Sequence, residues 1–373
     1  MQAALRSQIA LTLVPGLGPV HAKLLLSFFD IDELFNADRT ALEQCEGIPN
    51  RLLESLLGFS NWKRVDEEIS FLERHHIRPL FITDPDYPKR LLTCADAPIL
   101  LYYKGEASLN ATKMIAVVGT RGCTRHGVQC TEEIIAQLSA YDVTIISGLA
   151  IGIDTVAHQA ALRHQMATLA VLPLGLDAVY PAINRPLARE ILRSSGGLLT
   201  ESMSNHNADA YLFPRRNRIV AGCCDAAIII ESGTKGGSLI TARLANDYGR
   251  EVFAVPGRPA DPKSQGCNAL LKQQRALLLE TGDEVATWMG WQRSKSATCI
   301  AEKTIKTKNA PTALSSTEAR LLHQISNTAL LTIDQLRTCI ACEPQLLATA
   351  LINLELAGLI VSLPGNRYQK ASS

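Results

Sequence analysis

Apolar positions change their rhythm twice along the chain. Over about 1–78 they keep helical spacing. Leu5, Ile9, Leu11 and Leu13 run into Val14-Pro-Gly-Leu-Gly-Pro-Val-His-Ala-Lys23, and Leu24, Leu25, Phe28 and Phe29 continue as a second helix. From Thr83 the turn signals Asp84-Pro-Asp-Tyr-Pro88 and Ala97-Pro98 open a different regime. Ile99–Tyr103 reads as a short strand. Five apolar strands follow, at Met114–Val118, Val143–Ile146, Thr168–Leu172, Ala226–Ile230 and Glu251–Val255, with one more at Gly197–Glu201. Helical stretches fall between them, near 127–140, 154–165, 185–194, 214–222 and 238–248. Short apolar strands separated by helices predict an α/β fold with a mostly parallel sheet covered on both faces.

A third regime starts at about 314. Ser315-Ser-Thr-Glu318 is a capping box ahead of Leu321, Leu322 and Ile325, and Thr332-Ile-Asp-Gln335 is a second. Pro344 opens a third helix whose apolar face is Leu347, Leu351 and Leu354. Leu359-Ile-Val361, a Pro364-Gly-Asn turn and Arg367-Tyr368 make a hairpin, so a winged helix is expected. Its presumed recognition helix, 343–359, holds Glu343 and Glu355 and no Lys or Arg. Phosphate contact from that helix is poorly supported, and protein interaction is at least as good a reading. Residues 293–313 lack an apolar period and carry Arg293, Lys295, Lys303, Lys306 and Lys308 against Glu302, the composition of a solvated basic tether. The expected domains are therefore helical at 1–78, α/β at 79–292, a basic linker at 293–313 and a winged helix at 314–373. A length of 373 residues suits two or three domains.

Composition constrains function more than fold. Lys and Arg number 37 against 36 Asp and Glu, so any polyanion site must be a local cluster rather than a generally basic chain. Aromatic residues are only 5%, which argues against a carbohydrate-binding surface. No apolar run approaches the ~18 residues of a membrane span. The start, Met1-Gln-Ala-Ala-Leu-Arg-Ser-Gln8, leads into an amphipathic helix rather than a signal core, so a cytoplasmic location without a membrane partner is expected. Thiols are reduced by default there. Cys339-Ile-Ala-Cys342 is a lone CxxC short of two zinc ligands, and Cys223 and Cys224 read as small core residues.

Ligands of doubly wound sheets bind beyond the carboxyl ends of the strands. Those positions read Gly119-Thr-Arg-Gly122, Ser147-Gly-Leu-Ala-Ile-Gly-Ile-Asp154, Pro173-Leu-Gly-Leu-Asp177, Phe213-Pro-Arg-Arg-Asn-Arg218, Glu231-Ser-Gly-Thr-Lys-Gly-Gly-Ser238 and Val255-Pro-Gly257. Glycine-rich turns, helix N-termini and the cations Arg121, Arg215, Arg216, Arg218 and Lys235 together describe an anion site. The first turn is not GxGxxG and no acidic ribose partner follows it, which disfavours a dinucleotide. The loop at 233–238 lacks P-loop spacing, and neither GxSxG nor HExxH occurs. Asp154 and His158, four apart on one helix face, are an acid–base pair or a cap and a packed histidine. Several cations without a nucleophile or metal suit holding a phosphodiester rather than cutting it. The turn at Val14–Val20 also matches a helix-hairpin-helix, whose amides either hold a DNA phosphate or simply pack; Glu46-Gly-Ile-Pro-Asn-Arg51 is a degenerate echo that mostly packs.

Six motifs over 114–258 resemble the DNA-processing protein A family (DprA, also called Smf). They are Val117-Val-Gly-Thr-Arg121, Ser147-Gly-Leu-Ala-Ile-Gly-Ile-Asp-Thr-Val-Ala-His158, Leu174-Gly-Leu-Asp-Ala-Val-Tyr-Pro181, Phe213-Pro-Arg-Arg-Asn-Arg-Ile-Val-Ala-Gly222, Lys235-Gly-Gly-Ser-Leu-Ile-Thr-Ala242 and Glu251-Val-Phe-Ala-Val-Pro-Gly257. The resemblance implies an extended Rossmann-like core between a helical, SAM- or helix-hairpin-helix-like N-terminal domain and a C-terminal winged helix. It implies single-stranded DNA binding, a homodimer, and loading of a RecA-type recombinase onto incoming DNA during natural transformation, with no catalysis and no cofactor. By matching position, Arg121, Arg215, Arg216, Arg218 and Lys235 would grip phosphates. Gly119, Thr120, Ser147, Gly148, Gly236, Gly237 and Ser238 would shape the pocket. Phe213 would stack on a base or belong to the core, and Arg218 is alternatively a structural ion pair. Two positions depart from the family: Gln274-Arg275-Ala276 stands near a usual Gly-Ala step, and Gly236-Gly237 replaces a more frequent Ser-Gly. A rival is a nucleotide-processing enzyme resembling phosphoribohydrolases. Their loop carries a catalytic Glu where the loop at 231–238 has Lys and Ser. A third reading is an adaptor that binds proteins through its terminal domains.

Overall fold

A nine-stranded sheet organises the computed structural model of the chain. The structure describes residues 2–205, 209, 211–294, 316–327, 331–340, 344–356, 359–363 and 367–370. The strands are β1 (Arg78–Phe81), β2 (Leu100–Gly105), β3 (Met114–Val118), β4 (Thr144–Ser147), β5 (Thr168–Val171), β6 (Gly197–Thr200), β7 (Ala226–Ile229), β8 (Glu251–Ala254) and β9 (Leu277–Leu278). Their spatial order is β1-β2-β6-β5-β4-β3-β7-β8-β9. From β6 to β9 every pairing is parallel; β2 is antiparallel to both β1 and β6. The fold is the expected α/β class.

Side chains alternate across this sheet, as a period of two demands. Ile115 and Val117 of β3 join Ile145, Ile228 and Phe253 beneath helices Arg125–Leu138, Ile153–Arg163 and Gly282–Trp288. Met114, Ala116 and Val118 face the other way, with Ile146, Ala227 and Ile229, under helices Leu212–Gly222 and Gly237–Asp247. Both faces are covered, so the central strands are apolar throughout. Burying each large aliphatic side chain contributes about 1.5–3 kcal/mol.

Two strands escape the apolar pattern. β9 spans two residues, and β1 contains Pro79, which an edge strand tolerates. The N-terminal helices pack on β2: Ile9, Leu25, Leu52 and Val65 share one cluster with Phe81, Leu100 and Tyr102. The two hairpins of this region lock into each other. Gly16 and Gly47 both adopt left-handed backbone, and each lies against a leucine of the other hairpin's second helix, Leu52 and Leu24. Gln274 has φ of 55°, a left-handed backbone that glycine adopts at less cost.

The C-terminal unit, Thr298–Ser373, is separate from Met1–Ala297. Helices Ser316–Asn327, Ile333–Cys339 and Pro344–Leu356 surround Leu321, Leu336, Leu347 and Leu351, and β11 (Ile360–Leu363) pairs antiparallel with β12 (Arg367–Lys370). A further strand, β10 (Leu331–Thr332), pairs with β12. Ser315 of the capping box, Cys342, Glu343, the turn at 364–366 and linker residues 295–313 lie outside the described residues. Arg293, expected in the tether, instead hydrogen-bonds Asp283 and the Tyr141 hydroxyl on the core. No described helix is long and apolar enough to cross a membrane.

Candidate nucleic-acid interface

The sheet has a switch point between β3 and β7. These strands are neighbours, but the chain leaves β3 toward β4 and leaves β7 toward β8, on opposite sides. A crevice opens beyond the carboxyl ends of such a pair. The loop after β3 carries Arg121 and the loop after β7 carries Lys235. Hydrogen bonds tie the loops together. Thr120 N donates to Glu231 O at 2.8 Å, and the buried Glu231 carboxylate accepts from Thr124 N at 2.9 Å and from its hydroxyl. Gly119 has no room for a side chain, since a Cβ would lie 2.5 Å from Ile153 Cγ1. Arg121 emerges exposed, its guanidinium 5.3 Å from the Phe213 ring centroid. Lys235 is also exposed, and neither cation has an ion pair among the described residues.

Helix Leu212–Gly222 matches the helix expected near 214–222 and takes Phe213 into its first turn. Successive residues turn about 100°, and the arginines part accordingly. Phe213 faces Arg121 and meets the Tyr180 ring edge-on at 5.2 Å; one turn later, Asn217 Nδ2 donates to Gly237 O at 3.4 Å. Arg216 falls on the core side with Leu212 and Ile219. Its Nη1 donates to Val171 O at 2.6 Å. Arg218 is buried and bonded to the Glu201 carboxylate and the Asp96 carbonyl, and Arg215 lies 3.5 Å from Glu201. The three arginines expected as one cluster have different surroundings. Arg216 underlies the site, Arg218 is an internal ion pair, and Arg215 is half-exposed beside an acid.

The remaining expected residues build the frame. Ser147 Oγ donates to Val117 O at 2.6 Å and Ser238 Oγ to Ser232 Oγ at 2.9 Å, both buried. A Cβ on Gly236 would meet Ser232 Oγ at 2.3 Å, whereas Gly237 is open. Asp154 accepts from the amides of Gly148 and Ala150 at 3.1 and 3.4 Å, and burial raises its pKa. His158 Nδ1 lies 2.7 Å from Thr168 Oγ1; burial, with Arg216 adding, pushes its pKa down to about 3. Asp154 and His158 are each engaged by the scaffold rather than by one another. Among the described residues no cluster of three or more His, Cys, Asp or Glu forms a metal site.

Tyr180 and Asn217 lay in the strand-end segments but were not among the expected site residues, and neither was Lys263, whose Nζ donates to Gly122 O. Tyr180 stood in the 174–181 motif beyond β5, so its position was the available signal; Lys263 had none. A second, larger cleft of about 860 Å³ lies between the Val14–Pro19 hairpin and the core, lined by Arg64, Glu201, Met203, Tyr211 and Arg215.

The profile described as DNA recombination-mediator protein A matches residues 78–290, and that of the DprA winged helix domain matches 306–366. The chain belongs to the DNA recombination-mediator protein A family. Protein Smf of Synechocystis is 33% identical over 97% of this chain and 98% of its own length. Among solved structures, DprA from Streptococcus pneumoniae matches with a TM-score of 0.64 and 33% identity, covering 75% of this chain and 95% of that one. DNA processing protein A from Helicobacter pylori, described for its unique single-stranded DNA binding mode, matches at 0.52 and 29%, covering 57% and 95%. The first matched region contains the whole switch-point crevice, and the second overlaps the described helices of the winged helix.

Proposed function

We propose that this family member holds single-stranded DNA in the crevice between the β3 and β7 loops. It there protects incoming DNA and loads a RecA-type recombinase during natural transformation, acting as a homodimer in the cytoplasm without catalysis or a cofactor. The observation that carries this reading is the pair of open cations, Arg121 and Lys235, on adjacent loops at the switch point, with Arg121 beside the half-buried Phe213 ring. Phosphates would meet the cations while a base stacks on the aromatic side. The DNA binding described for the Helicobacter pylori relative supports it. Fluorescence anisotropy with labelled single-stranded and duplex oligomers tests it. Single strands should bind more tightly, with affinity falling steeply as salt rises. Arg121→Glu with Lys235→Glu should remove most binding and lower the salt slope by about 0.7 for each lost phosphate contact. Salt-independent binding, or an unchanged double variant, would contradict the reading. Strand exchange with and without recombinase tests the loading step.

A further inference from the structure

Helix Arg185–Arg193 places Arg185, Arg189 and Arg193 four residues apart, and all three are exposed. Each step turns the side chain by about 40°, so the three form one row away from the buried Leu187, Ala188 and Ile191. None of their guanidinium groups has an ion pair or hydrogen bond among the described residues. Other helices of this chain set an acid four residues after an arginine: Arg39 meets Glu43 at 2.7 Å and Arg64 meets Glu68 at 2.8 Å. Here like charges stand at that spacing and repel. Arg185 also occupies the helix N-terminus, the end whose dipole disfavours a cation; only Arg193, in the last turn, suits it. The one acid of the helix, Glu190, is exposed and forms no salt bridge among the described residues. Local stability therefore does not account for the row.

The row begins at the crevice. Asn184, the residue before Arg185, is buried, and its Nδ2 donates to Leu149 O at 2.8 Å. Leu149 stands between Gly148 and Ala150, which line a small pocket of the crevice with Arg121, Tyr180 and Pro181. The helix then runs back toward the start of β6, so the row leads about 12 Å along the surface away from that pocket. Its steps of about 6 Å compare with the separation of neighbouring phosphates on one strand. We propose that helix Arg185–Arg193 is a backbone track, taking phosphates of single-stranded DNA where the strand leaves the crevice. Contacts of this kind position a strand and read no base. The inference rests on the single-strand reading above and adds a second contact site, on a helix outside the strand-end loops.

The test measures the affinity of the full-length protein for oligothymidylates of increasing length at several salt concentrations. Wild-type affinity and salt slope should rise with length until the strand spans the row. A triple variant, Arg185→Gln, Arg189→Gln and Arg193→Gln, should bind the shortest strands as the wild type does and then stop gaining. On long strands its salt slope should be smaller by about 2, three contacts at ~0.7 each, so the wild type loses about 20-fold more affinity between about 50 and 200 mM salt. The same loss of charge at Arg39, Arg51 and Arg74 of the N-terminal helices should leave the long-strand slope unchanged. Equal slopes for wild type and triple variant at every length overturn the proposal while leaving DNA binding intact. A loss confined to duplex binding, or an equal loss in the N-terminal variant, overturns it too, since the row then serves duplex or acts through net charge alone. Absence of binding to any single strand removes the underlying reading instead. Should the triple variant not fold, Arg189→Gln alone, at the centre of the row, should lower the long-strand slope by about 0.7, and an unchanged slope overturns the proposal.

Discussion

On one side of helix Leu212–Gly222, Arg215 and Arg218 meet Glu201 at the wall of the large cleft, and nearby Arg64 is paired with Glu68 at 2.8 Å. On the other side, Phe213 meets Arg121 and Arg216 lies across Gly148 at the crevice; Arg121 has no ion pair among the described residues, and the buried Asp154 offsets the charge of Arg216 without a direct bond. Both regions hold arginines, and the larger cavity is the one whose charges cancel. On the proposed reading, cavity size and a count of cations are poor guides to the anion site in this fold. What matters is which cations lack an internal partner. A paired surface charge offers little to a ligand, whereas an open one can release counterions on binding phosphate.

Several substitutions would break or sharpen this contrast. The largest effect on stability should come from Arg218→Met. It leaves the mostly buried Glu201 without its main partner, and breaking such a pair costs about 3–5 kcal/mol. Urea unfolding would show it, while the folded fraction should keep its salt slope for DNA. A loss of DNA affinity with unchanged stability would place Arg218 at the ligand instead.

The next effect comes from pH. The buried His158 beneath the crevice stays neutral in the folded protein, with a pKa near 3 against an ordinary 6.5. The unfolded chain takes up a proton below about pH 6.5 that the folded protein refuses until about 3. This stabilisation is complete above the upper value and is lost as pH falls through the window, at up to about 1.4 kcal/mol per pH unit. The stability difference between wild type and His158→Gln should therefore change between about pH 7 and 4 in the wild type's disfavour. A constant difference would mean that the imidazole is not held neutral. The smallest effect belongs to Arg215→Ala, whose half-exposed pair contributes about 0–1 kcal/mol. Its DNA affinity should fall less than about threefold, far short of the Arg121 and Lys235 reversal.

Much of this was legible in the chain. The central strands are covered on both sides, so their apolar runs stand out. Edge strand β1 and two-residue β9 bury too little to leave a pattern. The glycine-rich turns also stood out, because Gly119 and Gly148 have no space for another residue. The spacing Leu212, Arg216, Ile219 and Cys223 is itself a core face and could have signalled that Arg216 points inward. Arg218 had no such signal, because its acid comes from the end of β6.

Apolar periodicity and turn chemistry act between near neighbours, so the order of amino acids was enough to decide the α/β class, the flanking helical regions and the family motifs. Which cations remain open was decided only when the chain closed. Arg218 is neutralised by Glu201, Arg216 is set beneath Gly148, and Arg121 and Lys235 are carried to adjacent loops by the order of β3 and β7. Charge pairing and burial depend on distances through space, and those distances exist only in the assembled sheet.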